Sequence, residues 1–90
     1  MPTDPRLPTP AITTVYGRDT CEDTVRALGH LAASGVAFQY VNLELEPAER
    51  DRLVALGYVA TPTVITPAGR VEVEPSDPTL EDLVAGIRAG

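Results

Sequence analysis

Apolar residues recur along this chain in short blocks, and each block is closed by Gly, Pro, Asp or Ser. The first block, Ala11–Tyr16 (AITTVY), is short, β-branched and bounded by Gly17, which predicts a strand. Ile12 and Val15 do not alternate cleanly, as expected of a central strand buried on both faces. Gly17–Thr20 reads as a turn. From Cys21 onward Val25, Leu28, Leu31 and Ala32 recur at steps of three and four residues, which predicts a helix over 21–34 with those residues as its apolar face. Thr20 is the candidate N-cap, and Glu22 and Asp23 fall in the first turn, where the helix dipole favours acids. Gly29 weakens the middle of this helix, and Ser34-Gly35 ends it.

Phe38–Leu43 predicts a second strand over 38–43. A helical crossover separates it from the first, so the two run parallel with a right-handed connection. Pro47 opens a second helix over 47–56, with Leu53, Val54 and Leu56 as its apolar positions and Gly57 as its stop. Thr63–Thr66 is a third strand, and Pro67-Ala68-Gly69-Arg70 a hairpin turn. In 71–74, Val71 and Val73 alternate with Glu72 and Glu74, the pattern of a half-exposed edge strand. Asp77-Pro78 reads as a helix cap followed by proline at the first helical position, and Leu80, Leu83, Val84 and Ile87 mark the final helix over 78–88.

The order βαβαββα with short connections implies an α/β domain: one four-stranded mixed sheet flanked by three helices. Met1–Pro10 contains four prolines and cannot pair continuously. It reads as a flexible Pro-rich leader with no apolar core of a signal peptide, which leaves 11–90 as the folded domain.

Composition narrows the function classes. Thirteen acids stand against seven bases, all arginine, for a net charge of −6. That argues against nucleic acid as the main partner, because phosphate binding needs a basic patch. No apolar run is long enough for a membrane span. The single cysteine excludes an internal disulfide, so a reducing, cytoplasmic location is expected. One Cys and one His in a monomer cannot supply a four-ligand metal site, and no metal is expected.

The same cysteine is the candidate reactive group. A sulfur at the first turn of a helix faces unpaired backbone N–H groups and the positive end of the dipole. Both stabilise thiolate, the form that attacks disulfides. Arg18, three residues earlier, adds positive charge. Asp19, Glu22 and Asp23 oppose it, since nearby like charge disfavours thiolate. Thr24 is placed to donate a hydrogen bond to the sulfur or to pack in the first turn. His30 falls on the face opposite Val25 and Leu28 and reads as solvated. Tyr16 reads as packing at the core or the site rim.

Two motifs then carry a family resemblance. Val15-Tyr16-Gly17-Arg18-Asp19-Thr20-Cys21-Glu22-Asp23-Thr24 resembles the strand, loop and C-x-x-C helix start of glutaredoxins, and Gly57-Tyr58-Val59-Ala60-Thr61-Pro62-Thr63-Val64 resembles their cis-proline loop. The similarity runs from about Ala11 to the end, nearest the small bacterial branch that includes the mycoredoxins. It implies a thioredoxin fold, a cis bond before Pro62, and Cys21 as nucleophile opposite Thr61. Thr24 stands where the resolving cysteine would be, so the pattern is monothiol, C-x-x-T. The implied function is a thiol-disulfide oxidoreductase working on mixed disulfides of proteins with a low-molecular-weight thiol, glutathione or mycothiol, as a monomer. The resemblance makes Arg18, Thr61, Pro62, Ser76 and Asp77 candidate contacts to that thiol, although for Asp77 the helix-cap reading is sufficient by itself. Where the family has glycines before this last position, the chain has Glu74-Pro75-Ser76-Asp77, which favours a neutral thiol such as mycothiol over glutathione. Two alternatives stay open. One is an iron-sulfur carrier formed by two chains and two small thiols, though such carriers have Cys-Gly-Phe-Ser. The other is a thioredoxin-fold interaction domain without redox chemistry.

Overall fold

A computed structural model describes residues 9–89. The expected leader therefore lies outside the described residues except for Thr9 and Pro10. The elements follow in the order β1 (Thr13–Gly17), α1 (Glu22–Ser34), β2 (Phe38–Asn42), α2 (Pro47–Ala55), β3 (Thr63–Ile65), β4 (Val71–Val73) and α3 (Asp77–Ala89). All seven expected elements are present, with ends shifted by one or two residues. The strands form one mixed sheet in the order β2-β1-β3-β4. β1 runs parallel to β2, with Val15 opposite Tyr40, and antiparallel to β3, with Val15 opposite Val64. β3 and β4 pair antiparallel.

β1 is paired on both edges, and every one of its residues is buried. This accounts for the absent alternation, because both faces of the strand are covered. Val15 and Val64 join Leu31 of α1 and Leu83 and Val84 of α3 on one face of the sheet. Tyr16, Ile65 and Val71 pack with Leu43 and with Leu53 of α2 on the other. Arg52 stands over the Tyr16 ring, its guanidinium carbon 5.9 Å from the centroid, so Tyr16 is a core residue.

Three connections shape the ends of the sheet. Gly35 ends α1 with a φ of 73° and an N–H bonded to Ala32 O. At the end of α2, Gly57 has a φ of 91°. Its N–H bonds Val54 O, and the Tyr58 N–H reaches back to Leu53 O at 2.9 Å, the paired bonds of a Schellman motif. The chain thus leaves α2 turned toward the end of β1. In the β3–β4 hairpin, Thr66 and Arg70 pair their backbones, and Gly69 takes a φ of 89°. Arg70 is nearly buried. It donates to Glu72 at 2.8 Å and to Asp82 at 2.9 Å, which ties the hairpin to α3.

The structure corrects the expected helix faces. On α1 the buried residues are Thr24, Ala27 and Leu31, whereas Val25 is 57% exposed and Ala32 is exposed. The stripe is turned by about one residue because Thr24 packs inward, and hydropathy alone does not count a threonine as core. On α2 only Leu53 is buried, and Val54 is half exposed. The cap of α3 is Ser76, not Asp77: Ser76 Oγ accepts the Thr79 N–H at 3.3 Å. His30 is not solvated either, since its side chain is 19% exposed and its Nδ1 lies 3.9 Å from Asp77.

The rotated face is open to test. Leu31→Ala should lower the free energy of urea unfolding by about 2–5 kcal/mol, as for other fully buried leucines. Val25→Ala should change it by no more than about 0.5 kcal/mol. Equal losses at the two positions would mean that α1 is seated on the face read from hydropathy.

Candidate functional site

The site begins where β1 ends. Gly17 is the last residue of β1 and pairs with Asn42. Its N-terminal neighbours are locked in the sheet, and its own carbonyl accepts the Leu43 N–H at 2.8 Å. A β-carbon on Gly17 would lie 2.5 Å from both Cγ2 and Oγ1 of Thr24. Only bare backbone lets the first turn of α1 approach this closely. Thr24 fills the space, is fully buried, and accepts the Arg18 N–H at 3.4 Å. The turn closes with the Cys21 N–H on Arg18 O at 3.1 Å.

Cys21 is therefore not inside α1 but is its N-cap, with extended backbone at φ −89° and ψ 116°. Thr20, the expected cap, stays exposed in the turn. At an N-cap the side chain points at the free N–H groups of the second and third helical residues. The thiol makes no capping hydrogen bond and points instead at Thr61 O, 3.6 Å from Sγ. Ionisation reverses the preference, because a thiolate can only accept. The thiol pKa is accordingly lowered from its ordinary value. Hydrogen bonding from the Thr24 hydroxyl contributes most, then that from the Thr61 side chain, and the N–H groups of Thr24 and Asp23 add to both. Partial burial of the sulfur opposes them.

Hydrogen bonds and burial, rather than the charges of Asp19, Glu22, Asp23 and Arg18, set that balance. Two of the three acids are bound elsewhere. Asp19 accepts the Tyr40 hydroxyl at 2.8 Å. Tyr40 in turn ionises only at about 12, chiefly because it is partly buried and then because Asp19 holds its proton. Asp23 is shared with Arg26 at 3.4 Å.

Opposite the sulfur, the Thr61–Pro62 peptide bond is cis. Pro62 is fully buried, and Thr63 Oγ1 donates to Ala60 O at 3.0 Å, bracing the loop. Between this loop and α2 lies an open cleft of about 580 Å³, lined by Arg18, Cys21, Arg50, Val59, Thr61 and Glu74 among others. Val59 is 71% exposed there. The structure thus brings together Cys21, Thr24, Arg18, Thr61 and Pro62. It does not bring Ser76 and Asp77 into the cleft lining. Ser76 caps α3, and Asp77 is held by Arg26 at 2.7 Å, with Arg26 also donating to Pro75 O. Sequence reasoning missed Arg50, Val59 and Glu74. The first two lie in segments whose pattern signals only helix and loop, and Glu74 lies where the alternation signals an edge strand. Among the described residues there is no group of three or more metal-ligating side chains, and no helix is long and apolar enough to cross a membrane.

A strand-to-helix turn with a cysteine N-cap, facing a cis-proline loop at one end of a four-stranded mixed sheet, defines a thioredoxin-fold protein with a redox-type site. Solved structures agree. The thioredoxin-like protein BC3987 superimposes with a TM-score of 0.70 at 26% identity, over 79% of this chain and 97% of that one. A single-residue mutant of it gives 0.71 at 26%, over 80% and 97%. The glutaredoxin family profile matches residues 13–70, more than half of the chain, and the protein belongs to the glutaredoxin family. No curated protein sequence matches significantly. Family and fold together support a thiol-disulfide oxidoreductase-like role.

Two measurements test this geometry. Gly17→Ala should destabilise the fold by about 1–3 kcal/mol through overpacking, and Thr24→Ala in the same chain should recover part of the loss; additive losses would show that the two residues are not in contact. Thr24→Val removes the hydroxyl at nearly constant volume. Because the hydroxyl stabilises the thiolate, the midpoint of the pH profile of Cys21 alkylation should move up toward that of free cysteine, about 8.5. Thr24→Ser should leave it low.

Proposed function

We propose that this protein is a monothiol oxidoreductase that reduces mixed disulfides between proteins and a low-molecular-weight thiol. The observation that carries the reading is the pairing of positions 21 and 24. The first holds a partly exposed sulfur whose ionised form is stabilised, and the second holds a buried hydroxyl that supplies the stabilising hydrogen bond. No second cysteine exists in the chain to complete an internal disulfide.

In this mechanism the Cys21 thiolate attacks the small-thiol sulfur of the mixed disulfide. The S–S bond breaks and its electron pair leaves with the protein sulfur, which takes a proton. Cys21 is left disulfide-bonded to the small thiol. A second molecule of the small thiol, as thiolate, attacks that sulfur and releases Cys21. The net exchange turns one mixed disulfide and one thiol into a free protein thiol and a symmetrical small disulfide, so electrons balance without a metal or flavin. Thr61 lies beside the sulfur, where its backbone can hold the small thiol in a strand-like pairing, and Arg18 can receive a carboxyl or hydroxyl group. Ser76 and Asp77 stand outside this contact set, which favours a thiol that does not need them. Mycothiol fits that description better than glutathione. A monomer in a reducing compartment such as the cytoplasm suits a single reactive thiol with no bridging partner.

The test is turnover of protein mixed disulfides carrying glutathione or mycothiol, measured side by side. The wild type should release the protein thiol in the presence of the matching small thiol, and Cys21→Ser should abolish release. A Cys21–thiol adduct should be seen by intact mass before the second thiol is added. A wild type with no turnover on either substrate, and an alkylation midpoint at or above that of free cysteine, would return the protein to the role of an interaction domain.

A further inference from the structure

Glu74 is the only non-glycine among the described residues with a left-handed backbone, at φ 48°. An L side chain adopts that region at a cost that glycine avoids. The geometry is imposed from both sides: the Glu74 N–H donates to Pro62 O at 2.8 Å, and Pro75, which follows, is buried. Backbone preference alone would put glycine here. A side chain kept against that preference at the edge of a reactive cleft is a reason to ask what it does.

Glu74 lines the same cleft as Cys21 and Thr61. The charged and titratable groups around the sulfur fall into three sets. Toward α2 stand Glu44 and Arg50, of opposite sign, with Arg50 3.3 Å from Asp51. Around the turn stand Arg18, the Tyr40-bound Asp19, and exposed Glu22. Toward α3 stand Asp23 and Glu74, and the nearby Arg26 is divided between Asp23 and Asp77. Among the described residues Glu74 has no ion-pair partner, so its charge at this end of the cleft is not cancelled by a neighbouring cation.

We propose that Glu74 is a specificity-determining residue of the site: it selects, at the α3 end of the cleft, for disulfide partners whose small-thiol moiety is neutral or cationic and against those that present a carboxylate. This rests on the reading of Cys21 as the reacting sulfur and adds to it the charge class of the substrate. One unit charge at about 7 Å in water changes a rate by about threefold per unit of probe charge. Between a monocation and a monoanion that becomes about tenfold.

The probes are two methanethiosulfonates of similar size, one carrying a trimethylammonium group and one a sulfonate. With each, the Cys21 thiolate attacks the sulfenyl sulfur, forms a mixed disulfide and releases methanesulfinate. The ratio of the two rates at low ionic strength reports the charge selection, and a general change in thiol acidity cancels from it. Glu74→Gln should lower the cation-to-anion ratio about tenfold. Glu74→Gly should do the same while raising the unfolding temperature, because glycine suits the backbone. Added salt should shrink the difference, as screening requires. Glu81→Gln, which removes an exposed α3 charge outside the cleft lining, should leave the ratio in place. A ratio within twofold of wild type in both Glu74 variants overturns the proposal, as does an equal shift in Glu81→Gln. The labelling ratio does not require turnover, so a shifted ratio in a protein that reduces no mixed disulfide would support charge selection by Glu74 while defeating the oxidoreductase reading.

Discussion

The contact between Thr24 and the bare backbone of Gly17 governs the geometry of the site. Gly17 belongs to a strand paired on both edges and buried throughout. Thr24 belongs to the first turn of α1. With no β-carbon between them, the first turn of α1 seats directly on the strand end. Cys21, three positions before Thr24, stands at the cap of that turn. From the cap its sulfur faces the Asp23 and Thr24 N–H groups on one side and Thr61 on the other. One packing contact thus sets the position of the sulfur, the donors available to its thiolate, and its distance from the loop across the cleft.

Short-range donors outweigh the acidic surroundings for a physical reason. A hydrogen bond to an ionised sulfur acts at contact distance, whereas a carboxylate in solvent acts through water and is screened by salt. The fold strengthens that inequality by engaging the carboxylates elsewhere. Tyr40, reaching from β2, takes Asp19, and Arg26 takes Asp23 and Asp77. The acidity of the chain is therefore compatible with a lowered thiol pKa. The feature that raises the pKa is partial burial of the sulfur, the same enclosure that forms the cleft.

The opposite wall is built with equal economy of length. The paired hydrogen bonds after α2 turn the chain back at Gly57, five residues bring it to Pro62, and β3 then enters the centre of the sheet. Val59 is left exposed at the cleft because the residues around it are committed to turning. The α3 end is closed by Arg26, which bonds Asp77 and Pro75 O. Asp77 is thus engaged by Arg26 and Ser76 by the cap of α3, while Glu74 belongs to the cleft lining.

Much of this was legible in the chain itself. Periodicity, β-branched runs and the Gly and Pro stops gave all seven elements in order, because each of those signals is local: a strand shows its β-branched run, a hairpin its glycine, a helix its spacing. The pair of motifs around Cys21 and Pro62 marked the two walls of the site before their distance was known. Local signals could not give the rotation of α1, since Thr24 is polar by composition and core only because Gly17 lies beneath it. Nor could they give the capture of Asp19, Asp23 and Asp77 by Tyr40 and Arg26, partners up to fifty-one positions away, or the place of Glu74 in the cleft lining. The sequence by itself determined which elements form and which sulfur can react. The tertiary structure decided which neighbours that sulfur has, because distances between distant residues are set by how the elements pack and not by the order in which they occur.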